Sequence, residues 1–291
     1  MNHYTIIHNK RARGKSLSKK YLEDLLNGID ITYELYDVNT KEESMQIIKN
    51  SIDNSVEHYC SIGGDGSLNN IVNCLRYYSH PDPVLACLPA GSGSDLIKTF
   101  GLPQSIHKAA SHLSTDSTYK VDTGRIEYLG NTKYFLNVAN IGFLADTVSI
   151  SERVPNILRK YRYSIGFWLK IVNAKPYDMN IETDNYHFKN RAFNVSVCNG
   201  QFIGNGKNIS PKSNLQDGLF DIQIFEVNKL EAMKIFFLAK KGLHLREKGV
   251  INKLSRSISI ESPLPLEVDG DYIGCNKIKI FNEKGTIRFK I

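Results

Sequence analysis

The sequence predicts a combination of α/β and all-β folds: an N-terminal Rossmann-like α/β domain followed by a C-terminal antiparallel β-sandwich domain. Up to about Tyr119 the chain alternates strand and helix patterns, which is typical of a parallel sheet with helices on both faces. Beyond that point, short β-rich runs are separated by Gly, Asn and Asp, as in sandwiches. The length of 291 residues is enough for two domains. We therefore expect domains at residues 1–119 and 120–291.

Each element of the first domain follows from its apolar pattern. The spacing predicts strands at residues 4–8, 31–38, 59–62 and 84–88, and helices at residues 16–26, 42–52 and 67–77. The first helix is expected to begin at a Ser16 cap. In the third, Leu68, Ile71, Val72 and Leu75 repeat at the spacing of one helical face.

The second domain is predicted from shorter runs rich in β-branched and aromatic residues. They predict strands at residues 121–125, 135–139, 179–183, 192–198, 219–225, 257–260, 266–268, 277–281 and 286–290. Two segments, at residues 152–178 and 229–256, are instead basic and carry aromatic residues.

Composition narrows the class of protein. The net charge of +7 favours acidic partners such as a nucleotide, a nucleic acid or an anionic membrane. Five scattered cysteines without a C-x-x-C pair indicate free thiols in a reducing cytosol. We expect no signal peptide, because no apolar stretch follows a charged start. No apolar run approaches the ~20 residues of a membrane span, so an integral membrane protein is not expected.

Loops of unusual composition follow three predicted strands. The first, at residues 9–16, ends like a P-loop, but Asn9 stands where the first glycine belongs. A true P-loop is therefore rejected, and a basic loop that contacts phosphate or is simply solvated remains. The second loop places three glycines around Asp65 at the start of a helix, and the third, at residues 89–95, repeats this pattern with Asp95.

These loops predict phosphate and metal chemistry. A glycine-rich turn before a helix presents free backbone amides to an anion. A carboxylate there repels phosphate unless Mg²⁺ lies between them or the carboxylate accepts a proton. Because the carboxyl ends of parallel strands share one edge of a sheet, the loops should converge on one ligand. Taken alone, a loop like the third is more often a plain turn with a helix cap. The G-x-G-x-x-G of dinucleotide-binding folds is absent.

The motifs resemble those of the diacylglycerol-kinase-like bacterial lipid kinases, which belong to the NAD kinase and diacylglycerol kinase superfamily. Residues 63–67 followed by Asn73 are similar to the family's G-G-D-G-[ST]…N signature. Four further motifs follow in the family's order, at residues 89–103, 135–146, 199–221 and 268–271. The chain departs from the family at several positions: Asn70 replaces Glu, Cys74 replaces Gly, Ser94 replaces Asn, Asn140 replaces Gly and Asp271 replaces Glu.

The resemblance implies roles for particular residues. The ATP site would comprise Asn9, Lys10, Arg11, Ala12, Arg13, Thr40, Gly63, Gly64, Asp65, Gly66, Ser67, Leu68, Asn69 and Ser92. A catalytic Mg²⁺ would be held by Asp65 and Asp95, and a structural Mg²⁺ by Asn214, Asp217 and Leu219. The catalytic groups would be Asp65 and the turn containing Asp269 and Asp271, with the last as the base that takes a proton from the lipid hydroxyl.

From the residues alone, two of these assignments have plainer alternatives. The Asp269-Gly270 pair is a common hairpin turn, and Gln216-Asp217-Gly218 is a common surface turn. Only the resemblance favours a catalytic base and a metal ligand there. It also implies that the active site lies in a cleft between the two domains.

The favoured function is therefore the ATP- and Mg²⁺-dependent phosphorylation of a lipid hydroxyl, on diacylglycerol or a related lipid, to give a phospholipid product. The alternatives are a nucleotide kinase of the NAD kinase type and a binding protein without catalysis. The basic aromatic segments predict peripheral association with an anionic membrane, at its inner face in the cytoplasm. Ordinary surface helices are the alternative for these segments. No nucleic-acid motif is present, so nucleic acid is not an expected partner, and a homodimer is left open.

Overall fold

The structure, a computed structural model, describes residues 2–10, 17–91, 95–151, 153–155, 158, 161–204 and 206–291, apart from the side chain of Asn276. It divides into two compact units. Unit 1 comprises Met1–Thr123 and Lys284–Ile291, and unit 2 comprises Gly124–Glu283. The α/β class predicted for the first domain and the antiparallel sandwich predicted for the second are confirmed by these two units.

Unit 1 is a parallel sheet with helices between its strands. Its elements are β1 (His3–Asn9), α1 (Lys19–Asn27), β2 (Thr32–Val38), α2 (Lys41–Asp53), β3 (His58–Gly63), α3 (Asp65–Tyr77), β4 (Val84–Pro89), α4 (Asp95–Thr99) and α5 (Ile106–Ala110). The strands pair in the order β2-β1-β3-β4, all parallel. Their carboxyl ends, with the loops that follow them, therefore share one edge of the sheet.

The first helix starts later than the sequence predicts. Ser18 is its N-cap, because the Ser18 hydroxyl accepts a hydrogen bond from the Tyr21 amide at 3.2 Å. Ser16, the predicted cap, lies outside the described residues. Two serines two residues apart offer the same capping chemistry, so the sequence does not show which of them begins the helix.

Unit 2 is mostly antiparallel. After β5 (Thr118–Tyr128), which begins in unit 1, its elements are β6 (Asn131–Phe135), β7 (Val138–Gly142), α6 (Phe143–Ser151), α7 (Arg162–Ile171), β8 (Tyr177–Thr183), β9 (His187–Ala192), β10 (Asn194–Cys198), β11 (Phe202–Ile203), β12 (Lys207–Asn208), β13 (Phe220–Phe225), α8 (Lys229–Leu238), β14 (Val250–Ser255), β15 (Ser257–Val268) and β16 (Asp271–Lys290). Among these described helices, none has the length and apolar content needed to cross a membrane.

Strand β15 connects the two layers of unit 2. Its first part pairs with β8, and its last residues pair with β7. The pairing register between β15 and β16 shifts between Ile260 and Leu264, and such an irregularity bends a strand. The apolar side chains of both layers then meet in one core, with Phe135, Phe220 and Leu266 fully buried.

Several predicted strands have different limits in the structure. The predicted strand 135–139 is two strands, β6 and β7, separated at Leu136 and Asn137. The backbone amides of both residues are turned toward the Asp269 carboxylate and so cannot join a strand ladder. Conversely, the runs at 257–260 and 266–268 form one strand, as do those at 277–281 and 286–290.

The end of β16 belongs to unit 1, whereas the sequence assigns residues 120–291 to the second domain. Arg288 and Phe289 pair in parallel with Val84 and Leu85 of β4. Phe289 is buried and stacks on Phe100 with ring centroids 4.9 Å apart. This pairing extends the parallel sheet of unit 1 by one strand.

Candidate functional site

The glycine loops that follow β3 and β4 touch through their backbones. The amides of Ala90 and Gly91 each donate a hydrogen bond of 2.9 Å to the Gly63 carbonyl. A Cβ atom built on Gly91 would lie 2.4 Å from Gly64 Cα, closer than any side chain allows. Position 91 therefore needs glycine, because the two loops pack backbone to backbone.

Asp65 ties the second loop to the third. Its carboxylate accepts hydrogen bonds from the Asp95 amide at 2.9 Å and the Leu96 amide at 3.2 Å, so it caps helix α4. The buried Asp95 carboxylate in turn pairs with Lys98 Nζ at 2.9 Å. The structure thus brings together the two carboxylates that the sequence proposes as ligands of one metal ion.

The charges at this cluster favour a cation. Burial, followed by the negative charge of Asp95, raises the pKa of the Asp65 carboxyl above its ordinary value. A divalent cation beside the two carboxylates would relieve their repulsion, and carboxylate oxygens are ligands that Mg²⁺ prefers. The residues present therefore fit the catalytic magnesium ion that the sequence predicts.

The start of helix α3 offers open backbone amides. Its N-cap is Gly64, and no side chain caps it. Gly66 is exposed, and a Cβ atom built there meets no atom within 4 Å in the described part of the chain. Asn9, at the end of β1, donates from its side-chain amide to the Ser67 hydroxyl at 3.1 Å. This end of the helix suits an anion such as a phosphate group.

The other predicted ATP residues differ in what they contact. Leu68 is buried in the core, and Asn69 is buried, accepting a hydrogen bond from the Asn73 side chain at 3.0 Å. Lys10 pairs with Asp37 at 3.0 Å, and the Thr40 hydroxyl caps α2 by accepting from the Glu43 amide at 3.1 Å. Four further predicted ATP residues lie outside the described part of the chain: Arg11, Ala12, Arg13 and Ser92. Ser94, where the chain departs from the family, also lies outside it.

Gly66→Ala is expected to weaken ATP binding without lowering the stability of the fold. Because the space over Gly66 is open and alanine favours a helix over glycine by ~1 kcal/mol, the variant should unfold at or slightly above the wild-type temperature. If a nucleotide phosphate approaches this backbone, however, the methyl group should raise KM for ATP by about tenfold, or ~1.4 kcal/mol.

Thermal unfolding and ATP titrations measure both effects. Gly28→Ala is the matched control, since a Cβ atom there makes only an ordinary 3.6 Å contact with the Leu25 carbonyl at the end of α1. A Gly66→Ala chain with wild-type KM would argue against phosphate binding at α3.

In unit 2, the predicted catalytic turn joins β15 to β16. Asp269 and Gly270 both have positive φ, 48° and 91°, as a two-residue hairpin turn requires. The Asp269 carboxylate accepts backbone hydrogen bonds from Leu136 at 3.0 Å, Asn137 at 3.1 Å and Val138 at 2.9 Å. Asp269 therefore organises the connection between β6 and β7.

Asp271, the first residue of β16, is partly exposed. Its side chain is 44% exposed, and one carboxylate oxygen lies 3.0 Å from Lys133 Nζ. A carboxylate with access to solvent has the chemistry required of a proton acceptor. Asp269 accepts from three backbone amides, whereas the Asp271 carboxylate pairs with a lysine side chain, so Asp271 is the better candidate of the two.

Glu267 is a further titratable group beside this turn, and the sequence analysis missed it. Its side chain is buried and accepts hydrogen bonds from the Gly270 amide and, at 2.8 Å, from the Asn140 side-chain amide. Burial, with smaller contributions from Asp269 and Asp271, raises the pKa of Glu267 to about 7. The available signal was a glutamate within the apolar run 264–268.

Glu267 ends a chain of buried polar side chains. Asn140 accepts from the Ser196 hydroxyl at 2.6 Å, and Ser196 accepts from the Asn194 amide at 3.0 Å. The side-chain oxygen Oδ1 of Asn194 accepts from the Leu144 backbone amide at 2.9 Å, in the first turn of α6. These hydrogen bonds link the start of α6 to the Asp269–Asp271 turn.

The predicted structural magnesium site lies in a loop before β13. There the Asn214 side chain accepts from the Gln216 amide at 3.1 Å, and the Asp217 side chain accepts from the Leu219 amide at 2.9 Å. Gly218 has φ of 80°, so the turn read from the residues alone is present. The described residues contain no group of three or more His, Cys, Asp or Glu side chains arranged to hold a metal. The set of Asn214, Asp217 and Leu219 is of another kind, with a single carboxylate, and it remains a prediction.

Comparison with solved structures supports the architecture. The crystal structure of a diacylglycerol kinase from Bacillus anthracis matches with a TM-score of 0.74 and 20% identity, covering 99% of this chain and 96% of that one. At this identity the likeness concerns the fold alone. The fold class is therefore that of an α/β unit combined with a sandwich unit.

Sequence comparison identifies the family. Residues 3–126 match the diacylglycerol kinase catalytic domain, and residues 137–281 match the YegS C-terminal NAD kinase beta sandwich-like domain. A diacylglycerol kinase from Staphylococcus haemolyticus is 30% identical, covering 97% of this chain and 86% of that protein, and one from Bacillus subtilis is 25% identical, covering 94% and 91%. The chain belongs to the diacylglycerol kinase family, and its class is that of the lipid kinases.

Proposed function

We propose that this protein transfers the γ-phosphoryl group of ATP to a lipid hydroxyl, with diacylglycerol as the first candidate substrate. The observation that carries the proposal is the cluster of Asp65 and Asp95 at the glycine loops of unit 1, where the Asp65 carboxylate in the first turn of α3 accepts a hydrogen bond from the Asp95 amide. The diacylglycerol kinase names of the relatives support the choice of substrate.

For unit 1, we propose nucleotide binding. The amides at the start of α3 would contact phosphate oxygens, with Asn9 and Ser67 beside them. Asp65 and Asp95 would hold Mg²⁺, which when bound neutralises phosphate charge. The Asp65 carboxylate is held by hydrogen bonds that it accepts from the first turn of α4, and the Asp95 carboxylate is held by Lys98. This limits the freedom lost on binding.

For unit 2, we propose proton transfer. Asp271 would accept the proton of the lipid hydroxyl while that oxygen forms its bond to the γ-phosphorus and the bond to ADP breaks. Lys133 would stabilise the Asp271 carboxylate before the proton arrives, and Asp269 would hold the turn. Asn214, Asp217 and the Leu219 carbonyl are oxygen donors that suit a second, structural Mg²⁺.

Because such a lipid resides in a bilayer, we also propose that the protein associates with anionic membrane surfaces at the cytoplasmic face. The basic segments at residues 152–178, with six basic and two acidic residues, and 229–256, with eight and two, supply the required charge.

The test incubates the full chain with γ-labelled ATP, Mg²⁺ and vesicles that each carry one candidate lipid. We expect label in the extracted lipid, and at least about tenfold less with Asp65→Ala, a loss of ~1.4 kcal/mol or more in transition-state stabilisation. Asp82→Ala is the control, because the exposed Asp82–Arg288 pair should contribute only ~0–1 kcal/mol. A parallel incubation with NAD in place of the vesicles tests the alternative kinase, since label on NAD there would indicate a nucleotide kinase. ATP binding without label on any lipid or on NAD would indicate a non-catalytic relative.

A further inference from the structure

The buried carboxyl group of Glu267 lies two residues before Asp269 in β15, and no step of the proposed function uses it. In the pairing of the strands it stands opposite Asn140 on β7 and Tyr272 on β16. Only 5% of the residue is exposed. Burying a carboxyl group costs free energy unless donors satisfy its oxygens, so its hydrogen-bond partners indicate what it does.

The first partner of Glu267 is the turn that leads to Asp271. The two central residues of this turn, Asp269 and Gly270, have positive φ. The Asp269 amide donates to the Val138 carbonyl on β7 at 3.0 Å. The Gly270 amide donates to Glu267 Oε1. Both central amides are therefore held, one by a strand backbone and the other by the Glu267 side chain. Because Asp271 follows Gly270 directly, this hold limits where the Asp271 carboxylate can lie.

The second oxygen of Glu267 is anchored in the sheet. Oε2 accepts from the Asn140 side-chain amide at 2.8 Å, and the Asn140 side-chain oxygen accepts from the Ser196 hydroxyl at 2.6 Å. Asn140 and Ser196 stand opposite each other on β7 and β10, so the three side chains form one polar row across three strands. None of the three residues is more than 5% exposed. Asn140 is a position where this chain departs from the family motif, which commonly has glycine there, so the row uses a side chain that the motif lacks.

We propose that Glu267 is a positioning residue for Asp271, because it fixes the turn that carries the proton acceptor and is itself fixed by the polar row. This role rests on the proposed function, in which Asp271 takes the proton of the lipid hydroxyl. Glu267 contacts neither reactant and acts through the Gly270 amide. A reacting group misplaced by about 1 Å can cost about a hundredfold in rate, so small movements of the turn should change turnover.

The charge of Glu267 also acts on the turn. Titratable side chains on the segments packed against Glu267 and its turn are those of Asp146 on α6, Tyr163 on α7, Asp269, Asp271 and Tyr272. Lys170 pairs with Asp146, and Lys133 pairs with Asp271. Burial, and then repulsion by Asp269 and Asp271, raises the pKa of Glu267 to about 7. An ionised Glu267 in turn favours the protonated form of Asp271 and strengthens the hydrogen bond from Gly270. Both changes favour proton transfer to Asp271.

The pH dependence of turnover tests this role. With saturating Mg-ATP and lipid, kcat of the wild type should rise about two- to fivefold as the pH increases, with a midpoint near pH 7. Glu267→Gln keeps an oxygen that accepts from Gly270 but cannot ionise. Its kcat should therefore match that of the wild type at about pH 6 and show no rise toward about pH 8, while KM for ATP stays at the wild-type value.

A second variant removes the acceptor altogether. Glu267→Met has a similar length and no oxygen, so kcat should fall about tenfold or more at every pH, again with an unchanged KM for ATP. Urea unfolding shows whether this variant is folded, and if it is not, Glu267→Gln decides. Glu182→Gln is the matched control and should keep the wild-type pH profile, since Glu182 is exposed and pairs with Ser259 near the opposite end of β15. A Glu267→Gln chain with the wild-type pH profile, or a folded Glu267→Met chain with the wild-type kcat, would overturn the proposal.

A measurement without substrates separates this role from the proposed function. In the NMR spectrum of the full chain, the Gly270 amide proton should move to lower field as the pH rises through about 7, because its acceptor becomes charged. It should stay in place in Glu267→Gln. A Gly270 resonance that does not move in the wild type would contradict the hold of Glu267 on the turn. A wild-type chain that shows this titration but labels no lipid would contradict the proposed function alone.

Discussion

Asp271→Asn is expected to lower the rate of lipid phosphorylation by about 10²–10⁴-fold, the usual contribution of a general base, while leaving the free energy of unfolding near that of the wild type. The Asp271 side chain is 44% exposed and pairs with Lys133 at 3.0 Å, and such surface pairs contribute ~0–1 kcal/mol to stability. Turnover with saturating ATP and urea unfolding measure the two quantities. Asp271→Glu, which keeps the carboxylate, should recover part of the rate.

Asp269, in the same turn, is the control. We expect its substitution to lower the free energy of unfolding and to leave the rate of lipid phosphorylation near that of the wild type. Asp269→Asn replaces one of the carboxylate oxygens that accept from three backbone amides. Because hydrogen bonds to a charged group contribute about 1.5–3 kcal/mol each, this variant should lose roughly 3 kcal/mol of stability. If instead Asp271→Asn turns over at the wild-type rate, the proton acceptor must be sought elsewhere.

Glu267→Gln is expected to change how stability depends on pH. The folded chain raises the pKa of Glu267 from 4.5 to about 7. Between these values the folded state keeps a proton that the unfolded state has lost, so stability falls as the pH rises through this window. A shift of this size corresponds to roughly 3 kcal/mol lost by about pH 8 relative to pH 4.

Urea unfolding at several pH values between these limits tests this expectation. The free energy of unfolding of the wild type relative to that of Glu267→Gln should fall by roughly 3 kcal/mol from pH 4 to pH 8, whereas its value relative to Glu182→Gln, which alters an exposed carboxylate on β8, should stay nearly constant. Burial lowers the pKa of His244 to about 4, and this opposite contribution is common to all three chains. The comparison is between slopes, because replacing a buried carboxyl by an amide also changes its hydrogen bonds to Gly270 and Asn140. Parallel slopes in the wild type and Glu267→Gln would show that another group controls the pH dependence.

The features that the sequence predicts are those with local causes. The alternation of strands and helices fixes the parallel order of unit 1, and that order explains why the loops carrying Asp65 and Asp95 meet. The glycine at position 91 could be predicted to lie in a turn, but not to touch Gly64, because that contact depends on the packing of two loops.

The features that the amino-acid sequence does not predict depend on contacts between residues far apart in the chain. The break between β6 and β7 is caused by Asp269, which lies more than 130 residues away. Glu267 reads locally as one polar residue in a strand, and only the fold shows that it is buried beside Asn140 and Gly270. Likewise, no local pattern shows that Phe289 pairs next to β4.

The course of β16 has a consequence for the order in which the protein is made. Unit 2 is continuous in the chain, whereas unit 1 also needs residues Lys284–Ile291. During synthesis, β1 to β4 leave the ribosome first, but the strand that pairs with β4 emerges after all of unit 2. Until then the edge of β4 has no partner strand from this segment, and an open edge can pair with another chain. Unit 2 can therefore complete its fold before unit 1, whose sheet gains this strand only after residues Lys284–Ile291 have been made.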